Sequence, residues 1–363
     1  MTSNVSSYTK AAQDVSVRRP QRDRASASRL MEKTFGLQCA TTLQYAPFQL
    51  CLVFHSCVIV ASFYATFHFL EKHIQHSPIH RNFKFLLTAY FVRSWVYGTS
   101  FLLISLSCFT RVFFFRGSIE DSLMNPTYYK YLHVLYATTI IVDVVIKILL
   151  VLERALATIR VHFYESESSQ SAISSFILIL FFFPFMFIHF TYEHADFSFP
   201  ACFAMLAPKG SEFWVNFFFV ITSALAIITF VLLKFLIIVN KRKRKSQHSG
   251  LSTRYQISEN LACAHLVSTV LITGLSVTIS YALSMTVLRL ARFQVFLDNR
   301  PLYSTVIVVL YPLPIADLLI PIYSGSQMKK TKTARTMSLK HVLHTSRQQT
   351  TDAYESQLKA QWA

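Results

Sequence analysis

Four ionisable residues lie inside apolar stretches of the chain, where a charge is costly unless it meets an opposite charge. Asp143 and Lys147 are spaced i, i+4, so they can pair on one face of a helix. Arg93 and Asp317 lie in two other apolar stretches without a local partner. Because all four lie at similar depth, they predict one neutral network inside a helix bundle. Such a network either holds the helices together or transmits a conformational change between them. An ion-coupled transporter would use the same residue types.

A second acid–base pair, Glu153 and Arg154, ends the apolar run that contains Asp143. An arginine at a membrane boundary can keep its stem in apolar surroundings while its head reaches solvent or a partner. The pair therefore predicts an inner lock, which either closes on itself or engages a partner protein.

Motifs of hydrolases, P-loop enzymes and dinucleotide-binding enzymes are absent from the chain. His73, His76 and His80 form one histidine cluster that could bind iron. Membrane iron enzymes need several such clusters to fill the coordination sphere, and the chain holds one. The sequence therefore predicts no enzyme, no metal site and no cofactor.

The elements that must position these residues are membrane-spanning helices. The chain is 53% hydrophobic and only 15% charged, whereas soluble domains carry about a quarter charged residues. A span needs about 20 mostly apolar residues, and seven such runs predict an all-α, seven-transmembrane-helix bundle. The predicted spans are 48–70, 85–109, 132–152, 171–192, 214–239, 261–288 and 303–323. The bundle thus covers 48–323, between a largely disordered extracellular tail, 1–47, and a basic cytoplasmic tail, 324–363.

The charge distribution predicts the orientation. The net charge is +17, but without a soluble domain to carry a basic face we expect no nucleic-acid partner. Loops that face the cytoplasm when the N-terminus is outside carry more Lys and Arg than the opposite loops. N-out, C-in also places the sequon at Asn4 outside, as a possible glycosylation site. On that side we expect a disulfide between Cys108 and Cys202, with Cys39 as the competing partner.

Three stretches together resemble motifs of one family. "ERALAT" at 153–158 followed by "FYE" at 163–165, "HRNFK" at 80–84, and "LSTRYQISENL" at 251–261 resemble the motifs of nematode serpentine chemoreceptors. The resemblance is to the Sra superfamily (Sra, Srab, Srb and Sre) and covers roughly 40–325.

This resemblance implies a seven-transmembrane G-protein-coupled receptor in the plasma membrane, at a sensory cilium. Its partners would be a heterotrimeric G protein, the lipid bilayer and a small ligand, apolar or volatile, for olfaction or a related sense. The alternative is an ion- or proton-coupled transporter or channel that uses the buried charges. The residues predicted to form the inner lock and the G-protein-coupling surface are Glu153, Arg154, Tyr164, Arg254, Tyr255, Glu259 and Asn260, with His80, Asn82 and Lys84 as the first-loop motif.

Overall fold

The computed structural model describes residues 34–75, 77, 79–114, 122–160, 169–193, 195–198, 201–205, 208, 210–246, 251–295, 299–330 and 333. Nine helices occupy these ranges. They are α1 (34–44), α2 (Ala46–Phe69), α3 (Arg81–Phe113), α4 (Pro126–Ile159), α5 (Ser169–Tyr192), α6 (Glu212–Ser246), α7 (Leu251–Val295), α8 (Arg300–Val309) and α9 (313–330). A π-helical segment, Leu70–Gln75, continues α2.

The predicted all-α, seven-span architecture is confirmed. Within the described ranges, seven helical stretches are long and apolar enough to cross a membrane, and α8 with α9 forms the seventh. Each of the first six predicted spans lies within one helix, and the seventh lies across α8 and α9. The membrane-capable part of α7, Gln256–Tyr281, ends before the predicted boundary at 288. The structure differs from the sequence prediction at 34–44, which forms helix α1 and is not a disordered part of the N-terminal tail.

The seventh span is interrupted by a proline. Pro312 has no backbone N–H, so it cannot donate to the carbonyl four residues earlier, that of Val308. That carbonyl accepts instead from Tyr311 N, at 3.1 Å, and from His55 Nε2 on α2, at 2.8 Å. Neighbouring groups therefore satisfy the backbone at the break, as membrane helices require.

Short polar caps define where several helices begin. Asn125 Oδ1 accepts from Thr127 N at 2.9 Å, and Pro126 occupies the first turn of α4. This arrangement is a typical N-cap followed by proline. At the start of α3, His80 Nδ1 accepts from Asn82 N at 3.3 Å. These caps fix the two helices that carry most of the predicted ionisable residues.

Two apolar clusters fill the bundle, and Arg93 and Asp143 lie where one cluster gives way to the other. On α3, Arg93 lies between Tyr90 of one cluster and Tyr97 of the other. On α4, Asp143 lies between Ile141 and Ile146, both buried. We refer below to the two ends of the bundle as the disulfide end, where α2 and α4 begin, and the Arg154 end, where α4 finishes.

The disulfide end is closed by a covalent bond that the sequence interpretation did not favour. Cys202 pairs with Cys39 of α1, with the two Cα atoms 5.3 Å apart. The expected Cys108–Cys202 bond is therefore wrong, and Cys39 is the partner. Cys108 is a free thiol, fully buried on α3 beside Arg111, whose Nη2 lies 3.6 Å from its sulfur.

Hydrogen bonds explain why Cys39 reaches Cys202. Ser122 Oγ donates to Gly36 O of α1 at 2.9 Å, and Met124 N donates to Ala201 O at 3.0 Å. Helix α1, the segment before α4 and the loop 201–205 are thus stacked over this end of the bundle. Without α1, which the sequence patterns did not predict, the sulfur of Cys39 could not be placed.

Breaking the disulfide should destabilise the oxidised protein by about 2–4 kcal/mol, because the cross-link restricts the unfolded chain. We expect Cys39→Ser, Cys202→Ser and the double variant to lose similar stability, since all three break the same bond. Thermal unfolding of the purified protein in detergent measures the loss.

The matched control is Cys108→Ser, which leaves the bond intact. Thiol labelling of the denatured, unreduced protein gives the decisive readout: Cys39→Ser should make Cys202 reactive. If Cys108→Ser does so instead, the assigned pairing is refuted.

Candidate functional site

The four buried ionisable residues meet in one layer across three helices. Arg93 Nη2 lies 2.6 Å from Asp143 Oδ1 and 3.4 Å from Asp317 Oδ1. Lys147 Nζ lies 2.5 Å from Asp143 Oδ2, one helical turn away on α4. The structure thus brings together all four residues that were predicted to form a neutral network. We call them the ionic layer.

Aromatic contact supplements the charge pairing in the ionic layer. The guanidinium carbon of Arg93 lies 5.0 Å from the centroid of the Tyr90 ring, and Lys147 Nζ lies 6.0 Å from the same centroid. A ring face attracts a cation by its quadrupole, most strongly where water is excluded. Asp317 Oδ2, by contrast, is buried without a hydrogen-bond partner among the described residues. The layer is charge-balanced, but its hydrogen bonds are incomplete.

A cavity of about 300 Å³ extends along α4 from the disulfide end to the ionic layer. One part is lined by Phe203 and Met205 of the loop 201–205, and another by Asp143 and Lys147. The remaining walls come from α5, α6, α7 and the α8–α9 break, mostly as aliphatic and aromatic side chains. The volume is at the lower end of the range of small-molecule sites, about 300–1,000 Å³.

Polar contacts near the disulfide end bind the cavity wall to the loop above it. His133 Nδ1 lies 2.7 Å from Ala204 O. Because a carbonyl oxygen can only accept, the ring nitrogen is the donor. The other ring nitrogen, Nε2, lies 2.9 Å from the Tyr192 hydroxyl at the end of α5. Farther along α4, the hydroxyl of Tyr136 donates to that of Tyr311. Four cavity-lining side chains are therefore held in place by hydrogen bonds: His133 and Tyr136 of α4, Tyr192 of α5, and Tyr311 between α8 and α9.

At the opposite end, Glu153 and Arg154 form a closed pair inside the protein. Their side chains are almost fully buried, with relative exposures of 1% and 3%. Arg154 donates through Nε and Nη2 to the two carboxylate oxygens of Glu153. The guanidinium also stacks over Phe83 of α3, with its carbon 4.6 Å from the ring centroid. Bidentate pairing is the strongest geometry available to an arginine and a carboxylate.

The remaining donor of Arg154 links the pair to α7 and begins a wider network. Arg154 Nη1 donates to Asn260 Oδ1 at 2.9 Å. Thr158 Oγ1 accepts from Asn260 Nδ2 at 3.2 Å and from Asn240 Nδ2 of α6 at 2.9 Å. The same hydroxyl donates to Arg154 O at 2.7 Å. Thr158 thus joins α4 to α6 and α7. We call the five residues Glu153, Arg154, Thr158, Asn240 and Asn260 the Arg154 network.

The first-loop motif lies against the same end. His80 N donates to Glu259 Oε1 of α7 at 3.2 Å. Asn82 is buried, and Lys84 Nζ donates to Gln75 O at 3.5 Å. The segment before α3 is therefore attached to α7 beside the Arg154 network. Two of the three resembling stretches meet directly here.

Sequence interpretation missed two members of the Arg154 network. Thr158 was part of a quoted motif without an assigned role, and Asn240 drew no attention as one polar residue at the end of an apolar run. Asn4, Tyr164, Arg254 and Tyr255 belong to the predicted set, but they fall outside the residues or side chains that the structure describes.

The described side chains form no group of three or more His, Cys, Asp or Glu that could hold a metal ion. His76 of the histidine cluster lies outside the described residues. The described residues instead form a mainly apolar cavity towards one end and a hydrogen-bonded network at the other, and α4 contributes to both.

Thr158→Val should lower the stability of the protein by about 1–3 kcal/mol, because it leaves two buried amides without their acceptor. Thermal unfolding measures the loss. Thr138→Val on the same helix is the matched control, since its hydroxyl donates only to Val134 O of its own helix, at 2.7 Å. Equal losses in the two variants would contradict a joining role for Thr158.

Comparison with known proteins gives one consistent family. Residues 37–363 match the family described as serpentine type 7TM GPCR receptor class ab chemoreceptor. The match includes the C-terminal tail, which the motifs left outside. Serpentine receptor class beta-16 of Caenorhabditis elegans is 27% identical over 317 residues, which cover 87% of this chain and 92% of that protein. Serpentine receptor class beta-12 of the same organism is 26% identical over 228 residues, or 57% of this chain and 63% of that protein. With seven membrane-capable helices among its described residues and a family match over most of its length, this chain belongs to the nematode serpentine chemoreceptor family of class ab.

Proposed function

We propose that this protein is a chemosensory receptor that binds a small external molecule and signals to a heterotrimeric G protein. The observation that carries the proposal is that α4 lines the cavity at Asp143 and Lys147 and carries Glu153 and Arg154 at its far end. Movement of one helix would therefore alter both places. The proposed location is the plasma membrane of a sensory cilium, as the family's role in chemosensation supports.

The proposal requires the disulfide end outside the cell and the Arg154 end inside. Support comes from the Cys39–Cys202 bond, which is stable on the oxidising side of the membrane. Lys and Arg at the Arg154 end give the opposite side its positive charge. They include Lys72, Arg81, Arg160, Lys241, Arg242, Arg244, Lys329 and Lys330, all exposed.

A protease added to intact cells should remove a tag at the N-terminus and leave a tag at the C-terminus. The physical reason is the bias of Lys and Arg between the two ends of the bundle. Permeabilised cells, in which both tags are cleaved, provide the control. Cleavage of the C-terminal tag alone in intact cells would contradict the orientation and with it the receptor proposal.

The proposed switch is the opening of the Arg154 network. In the closed state Glu153 neutralises Arg154, while Asn260 and Thr158 hold α7 and α6 against α4. A ligand can shift this equilibrium only by binding the open state more tightly than the closed one. Separation of α6 and α7 from α4 would expose Arg154 to the G protein.

The second interpretation, ion-coupled transport, draws on the same ionic layer. Its pathway would have to continue from the layer to the Arg154 end. Buried apolar side chains fill that part of the bundle, with Leu149, Leu150, Leu266 and Val267 all at most 3% exposed. This packing favours a receptor that transmits a conformational change.

Glu153→Gln should raise basal G-protein signalling about tenfold to a hundredfold until the response saturates. The substitution removes the charge from a charge-assisted pair worth about 1.5–3 kcal/mol to the closed state. Signalling in transfected cells, normalised to receptor at the surface, measures the effect. Arg154→Ala should abolish the ligand response.

Glu71→Gln is the matched control, because Glu71 is an exposed acid near the same end of the bundle. It should leave basal output unchanged. Unchanged basal output for Glu153→Gln together with an intact response for Arg154→Ala would rule out the lock. Ligand-evoked current in cells without G-protein signalling would favour transport.

A further inference from the structure

The cavity has apolar walls and a charged floor made of two side chains. Of the described residues that line it, only Asp143 and Lys147 carry a formal charge at neutral pH. Nearby threonine hydroxyls are already engaged with their own helices, since Thr229 donates to Leu225 O and Thr278 to Gly274 O. The floor is therefore the place where a ligand's polar group would find a strong partner.

Lys147 has donor capacity that its own pairing does not use. An ammonium group carries three N–H donors. Asp143 Oδ2 is the acceptor of one of them, at 2.5 Å, and is the only acceptor of Lys147 among the described residues. The Tyr90 ring contacts a second side of the ammonium group, with its centroid 6.0 Å from Nζ. At least one N–H thus remains for a group in the cavity.

The absence of a side chain on α7 makes the room for this ammonium group. A Cβ atom at Gly274 would lie 2.5 Å from Lys147 Nζ, which is closer than real atoms approach. Gly274 itself lines the cavity. The glycine therefore lets the ammonium group reach the space in which a ligand would lie.

Charge balance restricts what the ligand can be. Two cations and two anions in the ionic layer neutralise one another. A carboxylate ligand would leave one uncompensated negative charge in an apolar interior, and an amine would leave one positive charge. Both are costly where water is excluded. An uncharged acceptor adds a hydrogen bond without disturbing the balance.

We propose that the cavity takes an uncharged, mainly apolar molecule whose carbonyl oxygen accepts a hydrogen bond from Lys147 Nζ. Esters and ketones of about ten heavy atoms have this chemistry and fit a space of about 300 Å³. The assignment rests on the proposed receptor function, in which this cavity is the ligand site. It adds the chemical class of the ligand and the residue that selects it.

The experiment compares four probes of equal carbon number: heptyl acetate, nonanoate, nonylamine and nonane. Binding to the purified full-length protein in nanodiscs is measured by the shift in its thermal unfolding with probe concentration. Heptyl acetate should bind most tightly. Lys147→Met should weaken heptyl acetate about tenfold to a hundredfold, as loss of a hydrogen bond to a charged group does, and leave nonane unchanged.

Two further variants make the result specific. Lys234→Met removes an exposed lysine from α6 and should leave all four affinities as they are. Gly274→Ala keeps every charge but displaces the ammonium group, so it should weaken heptyl acetate and not nonane. Gly274→Ala also serves if Lys147→Met does not fold, because the neighbour that must move is the end of a flexible side chain.

Three outcomes would overturn the inference: tighter binding of nonanoate or nonylamine than of heptyl acetate, no binding of any probe, or equal heptyl acetate affinity in the wild type and Gly274→Ala. None of these measurements involves a G protein. Failed binding with intact basal signalling would therefore refute the ligand class alone. Successful binding without any G-protein response would refute the proposed function and keep the binding chemistry.

Discussion

A charge inside a bundle of apolar helices has to be neutralised within that bundle, and this constraint organises the protein. An unpaired ion in such surroundings costs several kcal/mol, whereas a paired and hydrogen-bonded one is tolerated. The ionic layer meets the constraint with two cations and two anions on α3, α4 and α9. The Arg154 network meets it with a single bidentate pair. Both depend on α4, which packs against α3, α5, α6 and α7.

The two sites differ in how tightly they hold their charges. All three guanidinium nitrogens of Arg154 donate to an acceptor, two of them to Glu153 and one to Asn260. In the ionic layer, Arg93 shares one nitrogen between two aspartates while Asp317 Oδ2 is left over. Satisfied polar networks rigidify a core, so the partly satisfied ionic layer should rearrange at lower cost than the Glu153–Arg154 pair. This difference is what a relay needs: an adaptable centre beneath the cavity and a defined closed state at the far end.

The spans were predictable because length and apolarity alone identify membrane helices. The Asp143–Lys147 contact was also accessible, since i, i+4 spacing places both on one helix face. Its meeting with Arg93 and Asp317 could be inferred only from the cost of burying charges singly. Asn240 could not be found, because an isolated amide has no periodicity and no formal charge. Cys39 was named only as the competing partner of Cys202 for another reason: short helix α1 follows a polar tail, and its position depends on a tertiary hydrogen bond from Ser122.

The bond between Cys39 and Cys202 joins residues 163 positions apart and encloses α2, α3, α4 and α5. The first four spans are therefore a closed covalent ring, from which α6 to α9 continue as a linear chain. A protease cut between 115 and 121 would leave both fragments covalently joined until the bond is reduced, whereas a cut between 247 and 250 would leave the last two spans without a covalent link to the rest. Thr158 lies on the ring, and Asn240 and Asn260 lie on the linear part. Noncovalent contacts, which are these hydrogen bonds together with apolar packing, connect the two parts at the Arg154 end, so the parts can separate there without straining the ring.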